Sequence, residues 1–247
     1  MTPESDVELA RVLATQAGMI LLALRARGGN GPDWLRREGD QRSNEFLVAA
    51  LARLRPDDAV LSEEAADDPA RLAADRVWIV DPLDGTREFS EAGRTDWAVH
   101  VALWESGALV AGAVALPGLG PTLASDDPPL PHPVHEVPRL LVSRSRPPAY
   151  VAEVAARIGA ELVPMGSAGA KAMAVVLGHA DAYLHDGGQY EWDSAAPVAV
   201  ALAAGLHASR VDGSPLTYNK PNPYQPDLLI CRPELAAPVL DAVAALA

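Results

Sequence analysis

Apolar residues recur at helical spacing near the start of the chain, where Val7, Ala10, Leu13, Ala14, Ala17, Leu21 and Leu24 share one face. Ser5 and Glu8 fit a capping box ahead of this helix, and Gly28-Gly29 fits its stop. Gly31-Pro32 marks a loop. A second helix is expected over about 43–54, with Phe46, Leu47, Ala50, Leu51 and Leu54 inward. The period then shortens. Residues 59–62 read as a strand ending at Glu63-Glu64, and 77–80 as another, joined by an acidic, alanine-rich connection over 65–76. Residues 97–104 and 109–116 flank Glu105-Ser106-Gly107-Ala108, a hairpin signal. The proline-rich stretch 117–138, with Asp126-Asp127 inside it, reads as an exposed connection.

Beyond it, strands at 140–142, 161–165, 182–185 and 228–230 alternate with helices at 148–158, 168–177, 194–204 and the C-terminus. Alternation of this kind predicts an α/β second half, while two helices, a hairpin and further strands make the first half α+β. The expected halves are 1–125 and 135–247. With 247 residues, 49% of them hydrophobic, the chain can bury a sizeable core.

Composition changes the picture in three ways. The single cysteine, Cys231, sits in an apolar run, so it reads as an inert core thiol and a reducing compartment is expected. No uninterrupted apolar run reaches the roughly 18 residues of a membrane span, and the lead Met1-Thr2-Pro3-Glu4-Ser5-Asp6 is acidic rather than basic. A soluble cytoplasmic protein follows as the expectation. The net charge of −13 speaks against nucleic-acid or membrane-surface partners. Positive charge comes almost wholly from arginine, the lysines being Lys171 and Lys220.

Four acidic groups carry candidate chemistry: Asp40, Glu63-Glu64, Asp81 with Asp84, and Glu191-Trp192-Asp193. The sequence Asp81-Pro82-Leu83-Asp84-Gly85-Thr86 is the most specific of them. Pro82 makes the turn between its acids rigid, and Gly85 lets a backbone approach a ligand closely. Thr86 would open the next element, where free N–H groups can meet a phosphate oxygen. Carboxylates, a carbonyl and a hydroxyl at one strand end suit a hard divalent cation. Two ions roughly 3.5–4 Å apart would activate water and steady the leaving oxygen of a phosphate ester. Bound Mg²⁺ would also reconcile an acidic chain with an anionic substrate.

Leu61-Ser62-Glu63-Glu64, Trp78-Ile79-Val80-Asp81-Pro82-Leu83-Asp84-Gly85-Thr86 and Trp192-Asp193-Ser194-Ala195-Ala196 resemble the three signatures of the inositol monophosphatase superfamily, the lithium-sensitive, magnesium-dependent phosphatases. The resemblance implies a layered αβαβα sandwich with the metal site between two halves. It implies that Glu63, Asp81 and the Leu83 carbonyl hold one Mg²⁺, and that Asp81, Asp84 and Asp193 hold a second. Asp40 falls beside the expected nucleophilic water and a third, weaker metal. Thr86 would orient that water with Glu63, and Glu64 is kept as a ligand or a support behind one. Asp40 is expected just before the second helix, in a loop shorter than the lysine- and proline-containing lead of many relatives.

Ser62-Glu63-Glu64, Leu83, Glu88-Phe89, Ser143-Arg144-Ser145 and Glu191-Trp192-Asp193 are most similar to the 3′(2′),5′-bisphosphate nucleotidase, CysQ-like branch of that superfamily. That branch removes the 3′-phosphate from 3′-phosphoadenosine 5′-phosphate in sulfate assimilation. Such a substrate needs a second anion site, for which Ser143, Arg144, Ser145, Ser167 and Lys171 are the candidates. Gly85 and Thr86 would meet the reacting phosphate. Gln189 and Glu191 could bond ribose hydroxyls, and Tyr224, with Gln225, could rim the adenine. The six histidines show no zinc-type spacing and receive no role. Inositol monophosphatase or fructose-1,6-bisphosphatase activity on the same scaffold stays open, as does a non-catalytic nucleotide- or metal-binding relative. Superfamily members occur as monomers and homodimers.

Overall fold

The computed structural model describes residues 5–28, 31–130 and 132–246; the lead before Ser5 and the Gly29 of the expected helix stop lie outside them. Helix α1 (Asp6–Arg27) begins where the cap signal puts it, Ser5 Oγ accepting from the Glu8 N–H at 3.1 Å. Contrary to the expectation that no segment could span a membrane, α1 is long and apolar enough to do so by length and composition. Its face of Leu9, Leu13, Ala17, Leu21 and Leu24 is instead buried in the fold.

Helix α2 (Pro32–Leu54) starts at Pro32 rather than near Ser43. Its first turns are too polar to show a helical stripe. Proline at the first position favours the start, and tertiary packing holds the rest. Gly39 lies so close to the end of the second strand and the helix after it that a Cβ there would stand 2.8 Å from Leu83 Cδ2 and 2.9 Å from Phe89 Cε1. Ser43 Oγ donates to the Pro82 carbonyl at 2.6 Å. Asp40 therefore sits within a helix, not in a shortened loop before one.

Among the described residues the strands form two five-stranded sheets. The first holds β1 (Ala59–Ser62), β2 (Arg76–Asp84), β3 (Ala98–Glu105), β4 (Ala108–Ala115) and β5 (Thr122–Ala124) in chain order, with β1 parallel to β2 and the rest antiparallel. The β3–β4 hairpin matches its turn signal. β5 lies inside the stretch expected to be a plain exposed connection, where it pairs with β4. A short helix, α3 (Thr86–Ser90), follows β2.

The second sheet holds β6 (Arg139–Ser143), β7 (Glu161–Met165), β8 (Ala182–Tyr190), β9 (His207–Ser209) and β10 (Tyr224–Cys231) in the order β7-β6-β8-β10-β9. Helices α4 (Val151–Ile158), α5 (Ala168–Val176), α6 (Glu191–Ala203) and α7 (Pro233–Ala244) pack around it. β8 and β10 both outrun their apolar cores, because Tyr190 pairs with Tyr224 and Gln189 with Gln225 at their ends. Ladder hydrogen bonds need no apolar side chains, so the hydropathy pattern hides this extension and the short β9.

Three apolar layers result. α1 and α2 cover one face of the first sheet over Trp78, Val80, Val99 and Val101. α5 and α6 fill the space between the sheets with Met173, Val175, Ala196 and Val198, against Ile79 on one side and Tyr183 and Ile230 on the other. α4 and α7 close the far face of the second sheet, where Cys231 is buried as expected. The layering is αβαβα. β2 is buried on both faces, which is why it reads as a continuous apolar run.

Candidate active site

β2 continues past Val80 and carries Asp81 and Asp84 itself, its pairing with β3 breaking register between them. Asp81 Oδ1 accepts the Leu83 N–H at 3.0 Å, closing an Asx turn around Pro82. Its Oδ2 is buried with no hydrogen-bond partner. Gly85 has φ +85°, a left-handed conformation natural to glycine, and so swings the chain into α3. The Thr86 hydroxyl then lies 3.0 Å from the Leu83 carbonyl oxygen and 3.3 Å from Asp40 Oδ1. The same face of α2 that delivers Asp40 also presents Asn44, whose Oδ1 accepts from Ser62 Oγ at 2.7 Å and steadies the end of β1. Glu63 lines the cleft at its open mouth. Glu64 is exposed beside it, its charge acting on Asp40.

Asp193 arrives from the other sheet. It stands in the first turn of α6, its Oδ2 accepting the Tyr190 N–H at 2.7 Å. Asp81, Asp84 and Asp193 each present a carboxylate oxygen within 4.8 Å of the others.

Packing these acids together perturbs them. Burial and then the charges of Glu63, Asp84 and Asp193 push Asp81 well above the usual carboxylate range. Burial and Asp84 push Asp193 up to about 7. Burial and Glu64 push Asp40 up to about 7 against its bond from Thr86. Glu63 is raised by desolvation in the cleft and by Asp193, Glu64 and Asp84, although its side chain still reaches solvent. Asp84 is the exception. Burial alone would raise it, but His100, Ser167 and the Lys171 charge outweigh burial and hold it low. Converging oxygen donors, one of them a buried carboxylate oxygen without a partner, fit a hard divalent cation.

The acids open into a cleft of about 420 Å³ that the end of β6 and the start of α5 also line. Ser143, Arg144, Ser145, Ser167, Lys171 and Gln189 all line it. Several are already committed. Arg144 Nη2 donates to Glu88 Oε1 at 2.6 Å and to Glu91 Oε1 at 3.0 Å. Ser167 Oγ donates to Asp84 Oδ2 and accepts the Ala170 N–H at 2.9 Å. Lys171 is buried, which brings it down to about 8, and its Nζ donates to the carbonyls of Ser167 at 2.5 Å and Gly166 at 3.3 Å. Gln189 Nε2 donates to the Tyr183 hydroxyl at 2.8 Å, leaving its Oε1 unpartnered.

Two expected contacts are not among the residues that line the cleft. Glu191 is fully buried, and its carboxylate accepts the N–H groups of Asn219 at 2.7 Å and Lys220 at 2.9 Å, so it holds a loop rather than facing the cleft. Tyr224 lies in β10; its hydroxyl accepts the Gly188 N–H at 3.2 Å, and its ring packs edge-on against Tyr190 at 5.7 Å. Tyr224 thus braces the cleft's rim through Gly188.

Arg146 and His185 in the cleft, and His100 behind it, have no role in the sequence reading. Arg146 lines the cleft and has no ion pair among the described residues. Its signal was available, as a second arginine with the alternation of a strand end. His185 lines the cleft with Nε2 2.7 Å from the Gly187 carbonyl. His100 stands behind Asp84, with Nε2 3.3 Å from Asp84 Oδ2 and Nδ1 3.0 Å from the Trp192 carbonyl. A lone histidine inside an otherwise apolar strand was its signal.

An αβαβα sandwich with a cluster of acids at the end of a central strand is the architecture of the metal-dependent phosphatases of the inositol monophosphatase family. The chain belongs to that family, whose profile matches residues 8–127 and 136–242. It is 53% identical over 238 residues to the 3′-phosphoadenosine 5′-phosphate phosphatase of Mycobacterium tuberculosis, covering 92% of this chain and 89% of that protein. It is 31% identical over 202 residues to the 3′(2′),5′-bisphosphate nucleotidase CysQ of Escherichia coli, covering 72% and 77% of the two. Among solved structures, CysQ from Bacteroides thetaiotaomicron superposes with a TM-score of 0.74 at 26% identity, over 91% of this chain and 96% of that one.

Proposed function

We propose that the chain hydrolyses the 3′-phosphate of 3′-phosphoadenosine 5′-phosphate, giving AMP and inorganic phosphate, with Mg²⁺ as its cofactor. The names of its relatives support the substrate. The observation that carries the reading is that Asp81, Asp84 and Asp193 line one cleft together with Arg146, which has no ion pair among the described residues. One ester is cleaved where the acids are, and a second phosphate is held at Arg146.

Asp81, Asp84 and Asp193 would hold one Mg²⁺, and Glu63, Asp81 and the Leu83 carbonyl another. When bound, these ions supply a water of lowered pKa and neutralise the phosphoryl oxygens. Thr86 and Asp40 orient the attacking water, since the hydroxyl is already held between the Leu83 carbonyl and the Asp40 carboxylate. Arg146 offers a planar fork of donors to the 5′-phosphate, with Ser143 and Ser145 beside it. Gln189 Oε1 is free to accept a ribose hydroxyl. Lys171 acts through its charge on Asp84 rather than by donating to substrate. The cleft lies between 1–125, which carries Asp40 and the ligands up to Asp84, and 135–247, which carries Asp193 and Arg146. The buried, unpaired Cys231 supports a reducing compartment such as the cytoplasm.

The test is phosphate release with Mg²⁺ from a panel of 3′-phosphoadenosine 5′-phosphate, inositol monophosphate and fructose 1,6-bisphosphate, with and without lithium. The bisphosphorylated nucleotide should give the highest kcat/KM and be inhibited by lithium. A sugar or inositol phosphate in first place overturns the reading.

A further inference from the structure

We propose that His100 is a positioning residue of the metal centre, a strut that sets the Asp84 carboxylate against the backbone presenting Asp193. The proposal rests on the reading of Asp84 and Asp193 as metal ligands.

His100 lies in the middle of β3, between its cross-strand partners Asp81 and Val114, and is fully buried. Its ring points into the layer between the sheets. Nδ1 is 3.0 Å from the carbonyl oxygen of Trp192, the residue before Asp193. Nε2 packs against Asp84 Oδ2 at 3.3 Å, a close approach without a hydrogen bond between them. A carbonyl oxygen only accepts, so Nδ1–H is the donor there. Asp84 belongs to the first sheet, and Asp193 opens the helix that follows β8 of the second. One rigid ring thus spans the seam across which these two acids must come together, and its two contacts cannot vary independently.

The neighbouring helix is shaped around this ring. A Cβ on Gly169 of α5 would stand 2.1 Å from His100 Nε2, so the imidazole occupies space that any other residue at 169 would claim. The same stretch also clamps Asp84. Gly169 N–H donates to Oδ2 at 2.6 Å, Ala168 N–H to Oδ1 at 3.1 Å, and Ser167 Oγ to Oδ2. Asp84 is therefore held in place before any cation arrives, whereas Asp81 keeps an unpartnered oxygen for it. Partners that orient ligating carboxylates typically matter by about 10–100-fold in metal affinity.

The experiment measures Mn²⁺ binding to the metal-free full chain by loss of the free-ion electron paramagnetic resonance signal, with no substrate present. His100→Ala should weaken Mn²⁺ binding by about 10–100-fold. The Mg²⁺ concentration for half-maximal phosphate release should rise by a similar factor, and rate lost at low Mg²⁺ should return as Mg²⁺ is raised. Gly169→Ala keeps the imidazole and the backbone N–H but displaces the ring. It should weaken Mn²⁺ binding on its own and add nothing further in a His100→Ala background. Unchanged Mn²⁺ affinity in His100→Ala, or equal effects of Gly169→Ala in both backgrounds, overturns the strut. If His100→Ala does not fold, Gly169→Ala decides alone: unaltered Mn²⁺ affinity overturns the proposal. A wild-type chain that binds no Mn²⁺ removes the metal reading along with it, whereas a wild type that binds Mn²⁺ but prefers another phosphate ester leaves the strut standing.

Discussion

At the end of β2 the chain crowds Asp81 and Asp84 against Glu63 and Asp193, whereas at the end of β6 it sets out Arg144 and Arg146 and pairs only the first of them with carboxylates. Each turn follows a strand and faces the same cleft. The first accumulates like charge that its surroundings relieve only at Asp84. The second neutralises one arginine on Glu88 and Glu91, which ties α3 to the second sheet, and leaves the other facing the cleft. An acidic cluster and an arginine without an ion pair among the described residues thus share one cleft. A phosphate ester carrying a second phosphate is the kind of molecule that satisfies both.

The strongest way to break the comparison is within the acidic wall. Asp81→Asn keeps the Oδ1 that accepts from Leu83 but removes a carboxylate whose Oδ2 is buried without a hydrogen-bond partner. Phosphate release should fall by about 10³-fold in kcat/KM, ~4 kcal/mol. Thermal unfolding of the metal-free protein should move upward, because repulsion among the acids is relieved. Asp84→Asn should also abolish turnover but lower the unfolding temperature, since it disturbs the bonds from Ser167, Ala168 and Gly169. Equal stability changes in the two variants would erase the distinction between a strained and a satisfied carboxylate.

A smaller effect separates the two arginines. Arg146→Ala should raise KM for the bisphosphorylated nucleotide by about 10–100-fold, ~1.4–2.8 kcal/mol. It should leave KM for a substrate with a single phosphate unchanged. Arg144→Ala should not alter the ratio between those substrates, because its guanidinium is already engaged by Glu88 and Glu91. A loss confined to Arg144→Ala would reverse the assignment.

The smallest effect is on pH. Asp40 and Asp193 are raised to about 7 in the folded, metal-free protein. The native state therefore binds more protons than the unfolded chain between their unfolded values near 4 and about 7. Stability should rise as pH falls through that window and be lost as pH climbs through 7. Calorimetry of the metal-free protein should show an unfolding temperature a few degrees higher at about pH 5.5 than at about pH 8. Mg²⁺ should narrow that gap by stabilising the charged acids most at alkaline pH. A metal-free protein whose stability increases from acid to neutral pH would contradict the crowding.

Much of the acidic wall was legible because it is local. Asp81, Pro82, Leu83, Asp84, Gly85 and Thr86 are contiguous, and their turn follows from proline's fixed φ, glycine's left-handed freedom and an aspartate bonding its own turn. The apolar runs of β2, β3 and β4 and the stripe of α1 were equally readable. The polar first half of α2 was not, because Gly39 and Ser43 pack on the 81–86 turn and that contact leaves no periodic trace. It was this packing that moved Asp40 from a loop to a helix face beside Thr86.

By itself, then, the sequence pointed to the turn 81–86 as a candidate for binding a hard cation, and it did so through spacing within that single turn. It also determined the layered class of the fold, through the period of its apolar positions. Only the tertiary structure decided which charged residues near the cleft remain free. Arg144 and Glu191 looked available until their partners, tens of residues away along the chain, came within hydrogen-bond distance. Availability is a matter of who else is near, and hydrogen bonds and burial between distant segments are set when the two sheets close on α5 and α6, not by neighbours in the chain.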